Sequence, residues 1–259
     1  MSQGVPMVEL EGVAKRFSRR AFVQSRSFAL HDISLTVERG EVVGILGESG
    51  SGKSTVANII TRLTAYDSGS YRFEGRDMKR LSRAESFEFK SKVQIVFQDP
   101  YGSLNPRATV QDSLLEALVL HQRGLSRQQR LAQAARLFEE VGLGSQSSAR
   151  YPHAFSGGQR QRIAIARALA VQPELLVCDE PLSSLDVSIQ AQILELFVRL
   201  IRDRHLTIIF ISHDVSVMRL LCDRVYVMNQ GRIVESGRTS DVLEHPKDDY
   251  TARLLEAVY

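Results

Sequence analysis

A chain of 259 residues, 43% hydrophobic and 24% charged, can bury a sizeable core as one large domain or two modest ones. Its net charge of +3, spread over 33 basic and 30 acidic residues, is too weak to argue for a nucleic-acid partner. The two cysteines, Cys178 and Cys222, lie far apart, which excludes a disulfide framework and a sulfur-rich metal site. Cys178, inside LLVCDE, reads as a small buried hydrophobe. The opening MSQGVPMVELEG lacks a basic-then-apolar leader pattern, and no apolar run approaches the roughly 20 residues that span a bilayer. The chain is therefore expected in the cytosol, reaching a membrane only by docking onto another protein.

In chain order, Val8-Glu9-Leu10 and residues 33–37 alternate apolar and polar and read as half-buried strands. Residues 41–46 are densely apolar and predict a buried strand, followed by a helix over 53–63. Tyr71-Arg72-Phe73 predicts an edge strand closed by Glu74-Gly75, and 93–97 another strand stopped by Asp99-Pro100. From 109 to 141 the pattern is helical, broken at Arg123-Gly124-Leu125-Ser126 and ended by Gly142-Leu143-Gly144. This predicts a helical subdomain over about 99–160, inserted in a core formed by 1–98 and 161–259. A helix over 159–170, a strand over 175–178 and a helix over 188–204 follow. In the last of these Ile189, Ile193, Leu196, Phe197, Leu200 and Ile201 share one face. A strand over 207–212, a helix, and strands over 224–228 and 232–235 complete an α/β pattern. Such alternation predicts a mostly parallel sheet covered on both faces.

Three short segments carry chemistry. GESGSGKST, from Gly47 to Thr55, fits the pattern G-x-x-x-x-G-K-S between a strand and a helix. Its glycines let backbone N–H groups of Gly47, Glu48, Ser49, Gly50, Ser51 and Gly52 turn toward phosphate oxygens, and the helix N-terminus adds partial positive charge. Lys53 reaches for the terminal phosphates, and the Ser54 hydroxyl suits Mg²⁺. The competing reading is a Gly-Ser loop with a surface lysine; the flanking strand and helix argue against it. Leu175-Leu176-Val177-Cys178 is an apolar strand ending in Asp179 and Glu180. Ligands gather at such strand ends. Asp179 is placed to bind Mg²⁺ and Glu180 to orient or deprotonate a water; read alone, the pair could equally be helix-capping acids. Phe155-Ser156-Gly157-Gly158-Gln159 leads into RQRIAIARALA and forms a second helix N-terminus suited to an anion, although an isolated Ser-Gly-Gly is usually only a turn.

Together these segments resemble the ATP-binding-cassette ATPases across essentially the whole chain. SGGQ is similar to that family's signature motif and LLVCDE to its Walker B. Ser183-Ser184-Leu185-Asp186 is similar to the D-loop and Gln98 to the Q-loop; His213, after IIFIS, matches the switch histidine. The resemblance implies a P-loop fold with an antiparallel β part near the N-terminus, and two cassettes paired head to tail around ATP and Mg²⁺. Ser156, Gly157, Gly158 and Gln159 would then act on the partner's nucleotide, Gln98 would touch Mg²⁺ and the water, His213 would hold the γ-phosphate, and Asp186 would line the pairing surface. Phe17, with Phe28 as rival, would stack on adenine.

Longer strings narrow the resemblance. IVFQDPYGSLNPR, YPHAFSGGQRQRIAIARALA, LDVSIQAQIL and HPKDDYTARLLEAV are similar to the oligopeptide, dipeptide and nickel importer branch. Phe155 stands where Leu is commoner, and Ser184 where Ala is usual. No cysteine cluster follows the cassette, so no iron–sulfur centre is expected. The branch implies two permease subunits, a second cassette (a different paralogue, or a copy of this chain) and an extracytoplasmic binding protein. The chain would sit peripherally on the cytoplasmic face of the membrane, without nucleic acid. The rivals are a soluble non-transport ABC ATPase and an exporter ATPase.

Overall fold

The computed structural model describes residues 4–17 and 27–256; the side chains of Phe17, Ser27, Phe28, Tyr101 and Ser145 lie outside that description. In chain order the elements are β1 (Val8–Phe17), β2 (Ser27–Val37), β3 (Val42–Leu46), α1 (Lys53–Ile60), β4 (Ser68–Phe73), β5 (Arg76–Asp77), α2 (Arg83–Lys92) and β6 (Val93–Val96). Then come α3 (Pro100–Ser103), α4 (Val110–His121), α5 (Arg127–Glu140), α6 (Gly157–Leu169), β7 (Leu175–Asp179) and α7 (Val187–Arg204). The chain closes with β8 (Thr207–Ser212), α8 (Val215–Leu221), β9 (Arg224–Asn229), β10 (Arg232–Arg238), α9 (Thr239–Glu244) and α10 (Asp249–Glu256). Contacts divide them into two units, one of residues up to 86 together with those from 206 onward, the other of 87–205.

The first unit holds an antiparallel sheet in the order β2-β1-β4-β5 and the strands β10-β9-β3-β8. In β2 the period of two turns Ile33, Leu35 and Val37 inward and leaves Ser34 exposed. All five residues of β3 are buried, because parallel neighbours β8 and β9 flank it on both sides. Behind it α1 buries Val56, Ile59 and Ile60, each contributing about 1.5–3 kcal/mol of apolar transfer. The helix predicted over 53–63 stops at Ile60. Arg62 turns left-handed at φ 58, and the Leu63 amide donates to Asn58 O at 2.8 Å. That is the usual glycine-ended C-terminal motif, here built on an arginine the pattern did not flag. β1 and β2 run further than the alternation showed. β4, predicted at an edge, is covered by the two-residue β5.

In the second unit β6 and β7 pair in parallel, Val93 opposite Leu175 through Val96 opposite Cys178. The predicted helical break is real: α4 ends at His121 and α5 starts after Ser126. Thr109 with Asp112, and Ser126 with Gln129, form complete capping boxes that set both starts. In α7 the expected face buries Ile193, Leu196, Phe197 and Leu200, while Ile189 and Ile201 are half-buried. Helix α2 has no counterpart in the sequence reading. Its apolar pattern is poor, but Ser82 and Glu85 exchange capping hydrogen bonds at 2.8 and 3.3 Å, a signature visible in S-x-x-E.

Candidate functional site

In the first unit the segment 47–55 joins β3 to α1. Gly52, the residue before the helix, sits at φ 106, and α1 has no side-chain cap. A Cβ there would lie 2.8 Å from Ala29 O, so only glycine fits. The Lys53 side chain turns back into the loop. It is 4% exposed, and its Nζ donates to Gly47 O at 2.7 Å and Glu48 O at 2.8 Å. A buried ammonium that donates to two loop carbonyls draws the loop around a positive centre, and a negative ligand complements it. The Ser51 hydroxyl is also buried and has no protein hydrogen-bond partner among the described residues. Glu48, Ser49, Gly50 and Ser54 are exposed, and Thr55 is half-buried. An uncapped helix start, a caged lysine and an orphaned hydroxyl in one loop fit a phosphate chain.

His213 belongs to the same end of the same sheet. Ser212, the last residue of β8, pairs with Leu46, the last of β3, so His213 and Gly47 leave adjacent parallel strands side by side. The His213 side chain is exposed. Phe17 ends β1 opposite Ser27; its side chain and that of its rival Phe28 lie outside the described residues.

The second unit gathers the other candidates. Asp179 ends β7 and is buried, with 9% of its surface exposed. Glu180 follows at φ 47, a left-handed conformation that is costly for a side chain of this size and that concentrates at functional sites. Val96 pairs with Cys178, so the chain leading to Gln98 leaves β6 at the end where β7 presents Asp179 and Glu180. Ser184 Oγ donates to Gln98 O at 3.3 Å, tying the two loops together. Ser156 caps α6: its Oγ accepts from the Gln159 amide at 3.3 Å, and Gln159 Oε1 accepts from the Ser156 amide at 3.1 Å. Gly157 and Gly158 pack this turn on the segment holding Asp186; a Cβ on Gly158 would come 2.3 Å from Ile189 Cγ2. Asp186 precedes α7 and is exposed. The unit thus brings Gln98, the β7 acids, the 183–186 turn and the 156–159 turn into one neighbourhood.

Sequence reasoning missed what holds the phosphate loop from outside. The Gly231 amide, in the tight turn between β9 and β10, donates to Ser51 O at 2.9 Å, and Gly231 O accepts from the His31 amide at 2.7 Å. The Tyr250 hydroxyl, on α10, accepts from the Glu48 amide at 3.2 Å. Neither contact has a local signal, since its partners stand about 180 and 200 residues apart.

A family model described as "ABC transporter" matches residues 30–183. The oligopeptide transport ATP-binding protein OppF of Streptococcus mutans serotype c is 44% identical over 252 residues, covering 97% of this chain and 81% of that protein. OppF of Bacillus subtilis is 46% identical over 231 residues, covering 89% and 76%. A putative peptide import ATP-binding protein of Brucella ovis is 42% identical over 253 residues, covering 98% and 78%. Among solved structures, cbiO1 from Clostridium perfringens, part of the ABC transporter complex cbiONQ, superposes with a TM-score of 0.79 at 28% identity, covering 93% of this chain and 91% of that one. A dimeric ATP-binding cassette in a post-hydrolysis state, bound to ADP and Pi, gives 0.80 at 29% identity, covering 90% and 99%.

Proposed function

The chain belongs to the ABC transporter family, and from that premise we propose that it is the ATP-hydrolysing subunit of an importer that takes up peptides, nickel or a related metal chelate through partner permeases. The observation that carries the chemistry is the loop at 47–52, closed on a buried Lys53 ahead of an uncapped helix. The 42–46% identity to peptide-import ATP-binding proteins supports the direction of transport and the cargo class over a soluble or exporter ATPase.

In this reading the amides of residues 47–52 and Lys53 bind the phosphate chain, with Ser54 and Thr55 at the helix start. ATP supplies the phosphoanhydride whose cleavage changes the shape of the complex. Ser54, Gln98 and Asp179 are the residues that would hold Mg²⁺. Glu180 takes a proton from the attacking water, His213 donates to the γ-phosphate, and Phe17 stacks on adenine. Ser156, Gly157, Gly158 and Gln159 act on the nucleotide of a second cassette, and Asp186 lines that pairing surface. The second cassette is a paralogous chain or another copy, and no iron–sulfur centre takes part.

The helical segment 99–160 is the permease-facing subdomain in this scheme. A cavity of about 230 Å³ in the second unit supports it, lined among others by Gln94, Phe97, Glu116, Leu120, His121 and Arg167. Phe97 and Leu120 are 37% and 48% exposed, an apolar rim that suits a helix of a membrane subunit. Among the described residues no helix is long and apolar enough to cross a membrane, so attachment to permeases would place the chain peripherally on the cytoplasmic face. A binding protein outside the membrane would deliver the solute.

The test has two arms. Glu180→Gln is expected to lower ATP turnover by about 100-fold or more and to accumulate an ATP-bound dimer on gel filtration; wild-type turnover would remove Glu180 from the chemistry. A tagged pull-down from detergent-solubilised membranes is expected to recover two permeases and a second cassette. Recovery of soluble partners alone would leave the ATPase standing and end the importer reading.

A further inference from the structure

The string HPKDDYTARLLEAV has no role in the chemistry above, yet the structure seats its Tyr250 against the phosphate loop. Glu235, on β10, starts the connection. Its carboxylate accepts from the Lys247 amide at 2.9 Å and the Asp248 amide at 3.2 Å. Asp248 then caps α10: its Oδ1 accepts from the Tyr250 amide at 2.9 Å and the Thr251 amide at 3.4 Å. Thr251, Leu254 and Leu255 bury the inner face of the helix. With its first turn anchored from two sides, α10 holds Tyr250 where its hydroxyl accepts from the Glu48 amide. Glu48 is therefore gripped at both ends, its N–H by Tyr250 and its C=O by Lys53 Nζ at 2.8 Å.

We propose that Tyr250 is a positioning residue for nucleotide binding, with the C-terminal helix serving as an outer brace that keeps Glu48 and the amides after it preorganised around Lys53. This rests on the reading of residues 47–55 as the phosphate site. Burial pushes the Tyr250 phenol up from its ordinary value, so the hydroxyl stays protonated and neutral through the physiological range. It accepts one hydrogen bond without placing a negative charge beside an anion site. Asp248, Asp249 and Glu235 are acids on the same brace, and the carboxylates of Asp248 and Glu235 are engaged by backbone amides of the 247–251 segment. The cost of losing the brace falls on binding, because a loosened loop must be ordered when the ligand arrives.

The experiment compares the full chain with Tyr250→Phe, which keeps the ring and its packing and removes the hydroxyl that accepts from Glu48. Binding of a fluorescent ATP analogue is expected to weaken about three- to tenfold, the net value of one hydrogen bond. KM for ATP should follow it, with kcat reduced less than about twofold, a split that general destabilisation does not produce. Hydrogen exchange of the peptide covering 44–52 should accelerate in the nucleotide-free variant, while that of 207–212 stays as in the parent. Unchanged affinity and unchanged exchange at 44–52 would overturn the proposal. Lys53→Ala separates the two levels. If it abolishes binding while Tyr250→Phe matches the parent, the brace is wrong and the phosphate site stands; if Lys53→Ala binds normally, the phosphate site is wrong and the brace falls with it.

Discussion

Two helices of this chain, α1 and α6, begin on glycine-bearing turns and satisfy their first amides in different ways. At α1 the preceding residue is Gly52, left-handed and without a side chain to cap the helix. Order there comes from elsewhere: Lys53 inside the loop, Gly231 and Tyr250 outside it. At α6 the preceding residue is Ser156, which forms a closed capping box with Gln159. The first turn is preorganised and its helix start carries no side-chain cap, as suits a phosphate site. The second satisfies itself. A nucleotide carried by a second cassette would meet a serine hydroxyl already used as an acceptor, with its own proton left to donate. In the proposed scheme the first turn would hold a ligand within the chain, and the second, closed on its own cap, would add contacts to a partner's nucleotide.

Substitutions sharpen the contrast. The largest effect is expected from Gly52→Ala. Its Cβ would meet the backbone oxygen of Ala29 at 2.8 Å with φ at 106, and a carbonyl in a strand cannot step aside. Strain of about 1–3 kcal/mol should weaken ATP binding by about 5- to 150-fold in a fluorescence titration; parental affinity would mean that the loop tolerates another shape. Gly158→Ala comes next, because Ile189 Cγ2 stands 2.3 Å from the new methyl and a side chain can rotate. A loss of about 1–3 kcal/mol, read as a melting temperature lower by several degrees, is expected. Gly157→Ala, with Leu185 Cδ2 at 3.4 Å, should melt like the parent, and an equal loss at both positions would discard the packing argument. The smallest effect belongs to Ser156→Ala, which removes the capping box for about 1 kcal/mol and about 2–4 °C by calorimetry. A melting temperature unchanged within a few tenths of a degree would show that the turn does not depend on its own cap.

Legibility in the sequence followed the range of the interactions. The helical pattern over 109–141 with its break at 123–126, the buried run of β3 and the acids at the end of β7 depend on neighbours within a few residues, so spacing alone displayed them; the capping boxes at Thr109, Ser126 and Ser156 came only with the structure. Helix α2 has no legible counterpart in the sequence, although Ser82 and Glu85 carry a capping pattern, because its apolar spacing is weak. The early end of α1 was missed because Arg62 takes a conformation normally signalled by glycine. Glu180 was read for its charge; its left-handed backbone at φ 47 has no counterpart in composition or spacing.

What the sequence determined by itself is the local chemistry: a loop of glycines with one lysine, a strand delivering two carboxylates, a Ser-Gly-Gly turn leading into a helix. Each is a short-range pattern in which residue type and spacing state the physics. The tertiary structure alone decided that Lys53 is buried, that Ser212 stands beside Leu46 so that His213 flanks the loop, and that Tyr250 and Gly231 grip Glu48 and Ser51 from far along the chain. These contacts arise because parallel strands bring distant segments to one edge of a sheet, and chain folding sets that adjacency with no local periodicity to record it.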